Sequence, residues 1–347
     1  MKYRVLRTIL FFVAFAVAVI AITQGVLAIG HKDPGWQDVS AQADAQAPLY
    51  SSDYTFQYYA QGTSDQIKAV LREVTPLYSQ TLSRAYKLTD SANTYDGYVN
   101  LATLNQSNGE AVVLEQELFD ILCDAWDRTN KKEGYNMFAG PLYSEWYSIL
   151  SSDNAPDFDP LFNDYQAQRI KMLAESVSDY SNFRFEIVDS VQHVVRFSVS
   201  EKFKSLLKEL ELDVPVLDLN VLRDAYILDL VRKVFVSHNL KQAQMYSKSG
   251  MAFSHVSGQS SAVVSVLPLN ESDLYYYSIQ KDGVDYLRHP HFDTRTGDFH
   301  NYVLQAVVRG KDYEIKDVAY TACMVENCDT DEQVALVCSV FEVDVVK

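Results

Sequence analysis

From Thr8 through Gly30 the chain carries no charged residue, and Lys2, Arg4 and Arg7 stand just before that run. At a rise of about 1.5 Å per residue, some 20 apolar residues cross the roughly 30 Å hydrocarbon layer of a bilayer. The basic flank lies on the N-terminal side, so the N-terminus is expected in the cytoplasm and the remainder outside. Val26 and Ala28 make an acceptable small-residue cleavage site, so a cleavable signal peptide is the competing reading. The first cysteine is Cys123, too far along for a lipoprotein anchor. The favoured expectation is an uncleaved signal anchor, residues 1–30, single-pass in a bacterial cell membrane with the C-terminal part extracytoplasmic.

The residues after position 30 are near the upper size for one hydrophobic core. Residues 31–52 are rich in Asp, Ala and Gln and poor in apolar periodicity, and they read as a polar tether to a single domain at 53–347. All 46 acidic residues follow residue 30, against 27 of the 30 basic ones, so the exported part carries net charge −19. That balance repels nucleic acid and anionic head groups, and its plainest role is solubility. Four cysteines are too few for a disulfide scaffold. Cys323 and Cys338 lie in apolar runs and read as buried thiols. Cys328, in a connecting turn, could pair with Cys323 in an oxidising compartment.

Thr63 and Gln66 have capping-box spacing, and Ile67, Val70, Leu71, Val74, Leu77 and Tyr78 then recur at helical spacing until Pro76 should bend or end the helix. Leu114, Leu118, Ile121, Leu122 and Ala125 mark a second helix. Strands follow at Phe183–Val188 and Val194–Val199, and Ser200 caps a helix with Phe203, Leu206, Leu207 and Leu210 inward. A helix over Val221–Ser237 precedes strands at Gln242–Tyr246, Ala262–Leu267 and Leu274–Gln280. Asp282 and Gly283 supply a tight turn that pairs the last of these with Val284–Arg288. A strand at Tyr302–Arg309 and helices at Ile315–Val325 and Asp329–Phe341 complete an α+β pattern with largely antiparallel sheet.

Glycine is scarce, 13 in 347 residues, and no Gly-rich phosphate loop exists. Asp317 and Thr321 are four residues apart, so on a helix they share one face and offer the oxygen pair a hard cation such as Mg²⁺ takes. His289, His291 and Asp293 alternate, so in an extended segment they share a face and could ligate a transition metal. Short His/Asp clusters are more often solvated or hydrogen-bonded. Asp153, Asp157, Asp159 and Asp164 read as a solvated acidic loop lacking the glycine of a calcium loop. No Ser/His/Asp or Cys/His set can be assembled with specificity.

Taken in order, several segments resemble the FAD:protein FMN transferase (ApbE-type) family over roughly residues 53–340. Gly140, Pro141, Leu142 and Trp146 match G-P-L-x-x-x-W. Asp293, Arg295, Thr296 and Gly297 match D-P-R-T-G with Thr294 in place of proline. Asp317, Ala319, Thr321 and Ala322 fit D-A-x-S-T-A with substitutions, and Leu217, Asp218 and Leu219 resemble the start of L-D-L-G-G-x-A-K-G. Asn105, Gly134, Tyr226 and Asp229 fall where the family has similar residues. The resemblance implies a single flavin-transferase-type α+β domain that cleaves FAD and attaches FMN to a Thr of a partner protein. It implies Asp317 and Thr321 as Mg²⁺ ligands, His291 or His289 as base with Asp293 beside them, and Gly140, Pro141, Leu142, Asp218, Thr296 and Gly297 as nucleotide-site residues.

The departures fall on the nucleotide side. Asn220, Val221, Leu222, Arg223, Asp224 and Ala225 stand where the family has G-G-x-A-K-G, bringing bulk and a reversed charge to a segment built for close backbone approach. Gly134, Tyr135, Asn136 and Met137 replace G-x-F-D, and Ser249, Gly250 and Met251 replace G-G-D. The family's histidine falls on Pro290, and S-G-D-Y survives only as Ser272 and Tyr275. Two expectations follow: a membrane-anchored FMN transferase, or a catalytically inactive descendant serving as an extracytoplasmic binding or assembly module.

Overall fold

The computed structural model describes residues 32–240, 242–256, 258–265 and 276–346. The expected anchor over residues 1–30 lies outside the described residues, as do Ser272 and Tyr275. Among the described residues no helix is long and apolar enough to cross a membrane.

The strands are β1 (Gly35–Asp38), β2 (Tyr54–Ala60), β3 (Ala111–Val113), β4 (Phe183–Asp189), β5 (Val194–Val199), β6 (Gln242–Ser247), β7 (Met251–Val256), β8 (Gln259–Ser265), β9 (Tyr277–Lys281), β10 (Val284–Arg288), β11 (Gln305–Lys311) and β12 (Glu342–Val346). The helices are α1 (Ser64–Thr89), α2 (Leu101–Gln106), α3 (Gln116–Lys131), α4 (Gly140–Leu150), α5 (Ala155–Phe158), α6 (Asp164–Ser178), α7 (Glu201–Glu209), α8 (Arg223–Ser237), α9 (Ile315–Glu326) and α10 (Asp331–Val337).

Seven strands form one antiparallel sheet in the order β1-β2-β6-β7-β8-β11-β12. Ala243, Met245, Met251, Phe253, Ala262, Val264, Ala306 and Val308 are all buried, and their alternation along β6, β7, β8 and β11 gives the sheet one apolar face. Helices α8 and α9 pack against this sheet, with α1 packed on α8. Phe56 of β2 stacks on Tyr78 of α1 and Phe235 of α8, with centroids 4.5 and 4.8 Å away. A three-stranded sheet, β3-β5-β4, closes a second apolar centre around Phe138, which stacks on Phe183 and Phe197.

The Thr63–Gln66 capping box forms as the sequence predicts. Pro76 does not end the helix, however; α1 runs 26 residues through it. The lost backbone bond costs about 3 kcal/mol, and burial of Val74, Tyr78, Leu82, Ala85 and Leu88 along the same face outweighs it. The expected tether is also corrected. Residues 35–38 pair with β2, Tyr50 is buried with its hydroxyl donating to Gln42 O at 2.5 Å, and Asp44 pairs with buried Lys87 at 2.6 Å. Its few apolar residues were enough because polar partners on α1 anchor the rest.

In the β9–β10 hairpin Lys281 faces Val284, so Asp282 and Gly283 form a two-residue turn with φ of 54° and 80°, the left-handed pair such a turn requires. The hairpin docks onto the loop expected to be solvated. Asp159 there is fully buried, receiving Arg288 Nε at 2.8 Å and the Tyr277 hydroxyl at 2.7 Å. Strands β1, β2, β3, β7 and β12, and helices α2, α4, α5 and α6, are additions to the sequence reading. All four cysteines are free: Cys323 and Cys328 are buried, and Cys338 is half-buried rather than buried.

Candidate functional site

Asp317 and Thr321 lie on α9 as expected, one turn apart, but one Asp317 carboxylate oxygen and the Thr321 hydroxyl are engaged. The Thr321 hydroxyl donates to the Asp317 carbonyl at 2.9 Å. The Asp317 carboxylate receives Arg128 Nη2 at 2.6 Å. Arg128, on α3, is 94% buried in effect, at 6% exposure. Its Nε also donates to Asp124 at 2.7 Å, and its guanidinium lies 4.7 Å from the Tyr320 ring centre. Asp124 further accepts from the Tyr226 hydroxyl at 2.6 Å and lies 3.3 Å from Lys316 Nζ. Burial pushes the Asp124 carboxyl up, but Arg128 and Tyr226 outweigh burial and hold it below its usual range. Mg²⁺ demands near-octahedral oxygen donors and dehydrates reluctantly. A donor set whose carboxylate already holds a guanidinium, and whose hydroxyl serves the helix, does not fit it.

The His289–Gly297 loop separates its three candidate ligands. His289 and His291 are buried, at 3% and 7% exposure, and turn toward α9. His289 Nε2 lies 3.6 Å from Glu326, and His291 Nδ1 lies 3.7 Å from the Cys323 sulfur. Asp293 turns the other way, receiving Arg295 N at 2.8 Å, the Arg295 guanidinium at 2.6 Å and His300 Nε2 at 3.3 Å. Among the described residues no three His, Cys, Asp or Glu side chains come together to hold a metal. Burial pushes His289 down to about 3, helped by His291 and Arg288, and His291 down to about 4. Both imidazoles are therefore neutral, weak bases at pH 7, and neither is presented to solvent.

The segment where close backbone approach was expected is filled. Asp218 takes the Ser91 hydroxyl and Asn220 N, so it braces its own turn. The Arg223 guanidinium stacks 4.5 Å from the Tyr86 ring centre and reaches Tyr86 O at 3.4 Å. Asp224 accepts from the Tyr54 hydroxyl at 2.6 Å and from Ser249.

The other motif residues hold one another. A Cβ on Gly140 would sit 2.2 Å from the Pro215 carbonyl oxygen, and one on Gly297, where φ is 75°, would sit 2.7 Å from Ile170 Cγ2. Trp146 Nε1 donates to Gly297 O at 2.9 Å, joining the two motifs directly. Pro141 lies in the first turn of α4 and Leu142 is fully buried. Thr294, in place of the family's proline, donates to Gly134 O at 2.7 Å. Asn105 clamps Leu217 through its N–H and C=O, and Asp229 accepts from the backbone of Ile315 and Lys316 at the start of α9. Exposed Thr296 borders a cavity of about 470 Å³ lined by Trp146, Ile170, Arg288, Arg295 and Phe299. Both arginines there already face carboxylates, Asp159 and Asp293.

Arg128, Asp124, Glu326 and His300 were not singled out from sequence. Arg128 follows Leu118, Ile121, Leu122 and Ala125 on one helical stripe, and Glu326 continues the stripe of Ala319 and Cys323. A charge on an apolar stripe was the available signal.

No family model matches the sequence. Part of the chain is 24% identical over 138 residues to a tRNA N6-adenosine threonylcarbamoyltransferase of Malacoplasma penetrans (strain HF-2), covering 38% of this chain and 45% of that protein. Among solved structures, the ApbE protein of Thermotoga maritima MSB8 superposes with a TM-score of 0.54 at 13% identity, covering 90% of this chain and 94% of the other. The flavinyl transferase ApbE of Pseudomonas stutzeri, in its apo form, gives 0.50 at 12% identity, covering 85% and 91%. At such identities the likeness shows architecture alone: the chain has the fold of the ApbE flavin transferases.

Proposed function

We propose that this chain is a non-catalytic binding or assembly module on the flavin-transferase fold, held outside a bacterial membrane by residues 1–30 and engaging an extracytoplasmic protein. The observation that carries this reading is the closed set Tyr54–Asp224–Ser249, with Arg223 on Tyr86, in the segment where a nucleotide's phosphates would need bare backbone. An acidic side chain there repels a dianion, and losing several contacts at about 1–3 kcal/mol each removes useful FAD affinity. A tRNA-directed activity, suggested by the partial relative's name, is opposed by the net charge of −16 on the whole chain.

Mg²⁺-dependent transfer of FMN from FAD to a Thr of a partner is the second reading, supported by the fold and by the cavity beside Thr296 and Trp146. It requires Asp317 to release Arg128 and an imidazole to reach the target hydroxyl. Calorimetric titration with FAD and FMN, alongside a mass assay for flavin addition to a flavinylatable partner, separates the two. The module reading expects neither micromolar binding nor a mass gain; a flavin-sized gain on the partner would overturn it.

A further inference from the structure

Two carboxylates on different helices, Asp124 of α3 and Asp317 of α9, face one cation between them, and that cation belongs to the chain. We infer that Arg128 is a built-in replacement for a divalent metal at the α3–α9 seam, so that the seam is closed without metal. Arg128 reaches both carboxylates, through Nε to Asp124 at 2.7 Å and through Nη2 to Asp317 at 2.6 Å, while its plane covers Tyr320. The stem is buried, so the guanidinium is fixed in place rather than sampling solvent. Arginine suits this position because its charge does not titrate and its planar fork serves two carboxylates at once. The remaining neighbours are also paired: Lys316 with Asp124 and Glu314, and the Tyr320 hydroxyl with Glu133 at 2.8 Å. One Asp317 carboxylate oxygen is held by Arg128 and the Thr321 hydroxyl is turned to the Asp317 carbonyl, so the two do not converge as a ligand pair for a hydrated divalent ion.

The inference goes beyond the module reading. A protein that bound FAD through Arg128 without metal would satisfy the inference and overturn that reading. One that bound neither FAD nor metal would satisfy both.

The test uses the full chain and Mn²⁺ as an electron-spin probe, with Mg²⁺ melting curves beside it. The parent protein is expected to bind no Mn²⁺ at millimolar concentration and to keep its melting temperature within about 1 °C in Mg²⁺. Arg128→Met retains the apolar stem but leaves Asp124 and Asp317 facing each other. It is expected to bind Mn²⁺ at least about ten-fold more tightly than the parent and to gain about 3 °C at saturating metal. Adding Asp317→Asn to Arg128→Met should abolish that response. Mn²⁺ binding by the parent that Asp317→Asn removes would overturn the inference. So would a folded Arg128→Met that ignores divalent ions. Should Arg128→Met fold poorly, Arg128→Gln, which keeps stem and polarity, is read by the same two outcomes.

Discussion

The α4–loop junction and the α3–α9 seam both carry residues that fit the same family pattern, yet they are held by different forces. At the junction the matching residues touch one another in the interior: Trp146 donates to Gly297 O, Gly140 lies under Pro215, and Thr294 bonds Gly134. Each is fixed by shape, and replacement meets backbone or core. At the seam Asp317 is 41% exposed on its side chain and holds its place through one ion pair. A replacement at the junction meets backbone or core, whereas Asp317 is held by an ion pair that water can replace.

The sharpest way to break this comparison is at the hairpin that backs the junction. Arg288→Met should cost about 3–5 kcal/mol, because it leaves the Asp159 carboxylate buried without a counter-charge, held only by the neutral Tyr277 hydroxyl and Leu161 N–H. Denaturant unfolding measures it, and a loss below about 1 kcal/mol would mean the hairpin does not support the loop. Gly140→Ala comes next. Its new methyl would meet a backbone oxygen at 2.2 Å, so α4 or the 215–216 backbone must move, at about 3 kcal/mol. Gly297→Ala should cost about 2–3 kcal/mol, since its methyl would meet the buried, stiff Ile170 side chain at 2.7 Å and the left-handed φ adds strain.

This difference also explains what was legible in the sequence. Periodicity located α1, α3, α7, α8 and α9, and Asp282–Gly283 gave the hairpin, because those signals are local. Strand β2 was missed because it takes its place beside a partner far along the chain, Tyr54 against Ser247, and β1, which pairs with β2 alone among the described strands, went with it. Asp317 and Thr321 were correctly placed on one helical face. What occupies that face was not legible, since Arg128 arrives from 189 residues away. Likewise Asp159 looked solvated until Arg288, 129 residues on, was placed against it.

Glu326 lies at the end of α9, where seam and junction meet, and it gives the comparison a pH axis. Among the described residues neither of its oxygens has a hydrogen-bond partner, and burial pushes its carboxyl from 4.5 up to about 8. Between those values the native state keeps a proton that the unfolded chain has lost. Stability is therefore fully present below pH 4.5 and falls as pH rises toward 8. Glu326→Gln should remove that slope and raise stability at pH 8.5 by on the order of 3 kcal/mol, with little effect at pH 4.5. Melting curves across this range read it. An unchanged slope would place the titrating group elsewhere, with His300 the first to examine. Its hydrogen bonds to Asp293 and Asp329 raise it to about 9, so its contribution is present below pH 6.5 and lost as pH rises through 9.

Asp317→Asn should have the smallest effect of all, under about 1 kcal/mol, because an ion pair with one partner this exposed is screened by water and salt. Arg128 would still face Asp124 and Tyr320, so no buried charge is orphaned. Measured beside Gly140→Ala, the ratio of the two losses states how differently the motifs are held. A loss at Asp317 rivalling that at Gly140 would show that the seam carries the fold, and would erase the distinction between residues held by packing and a residue held by one ion pair.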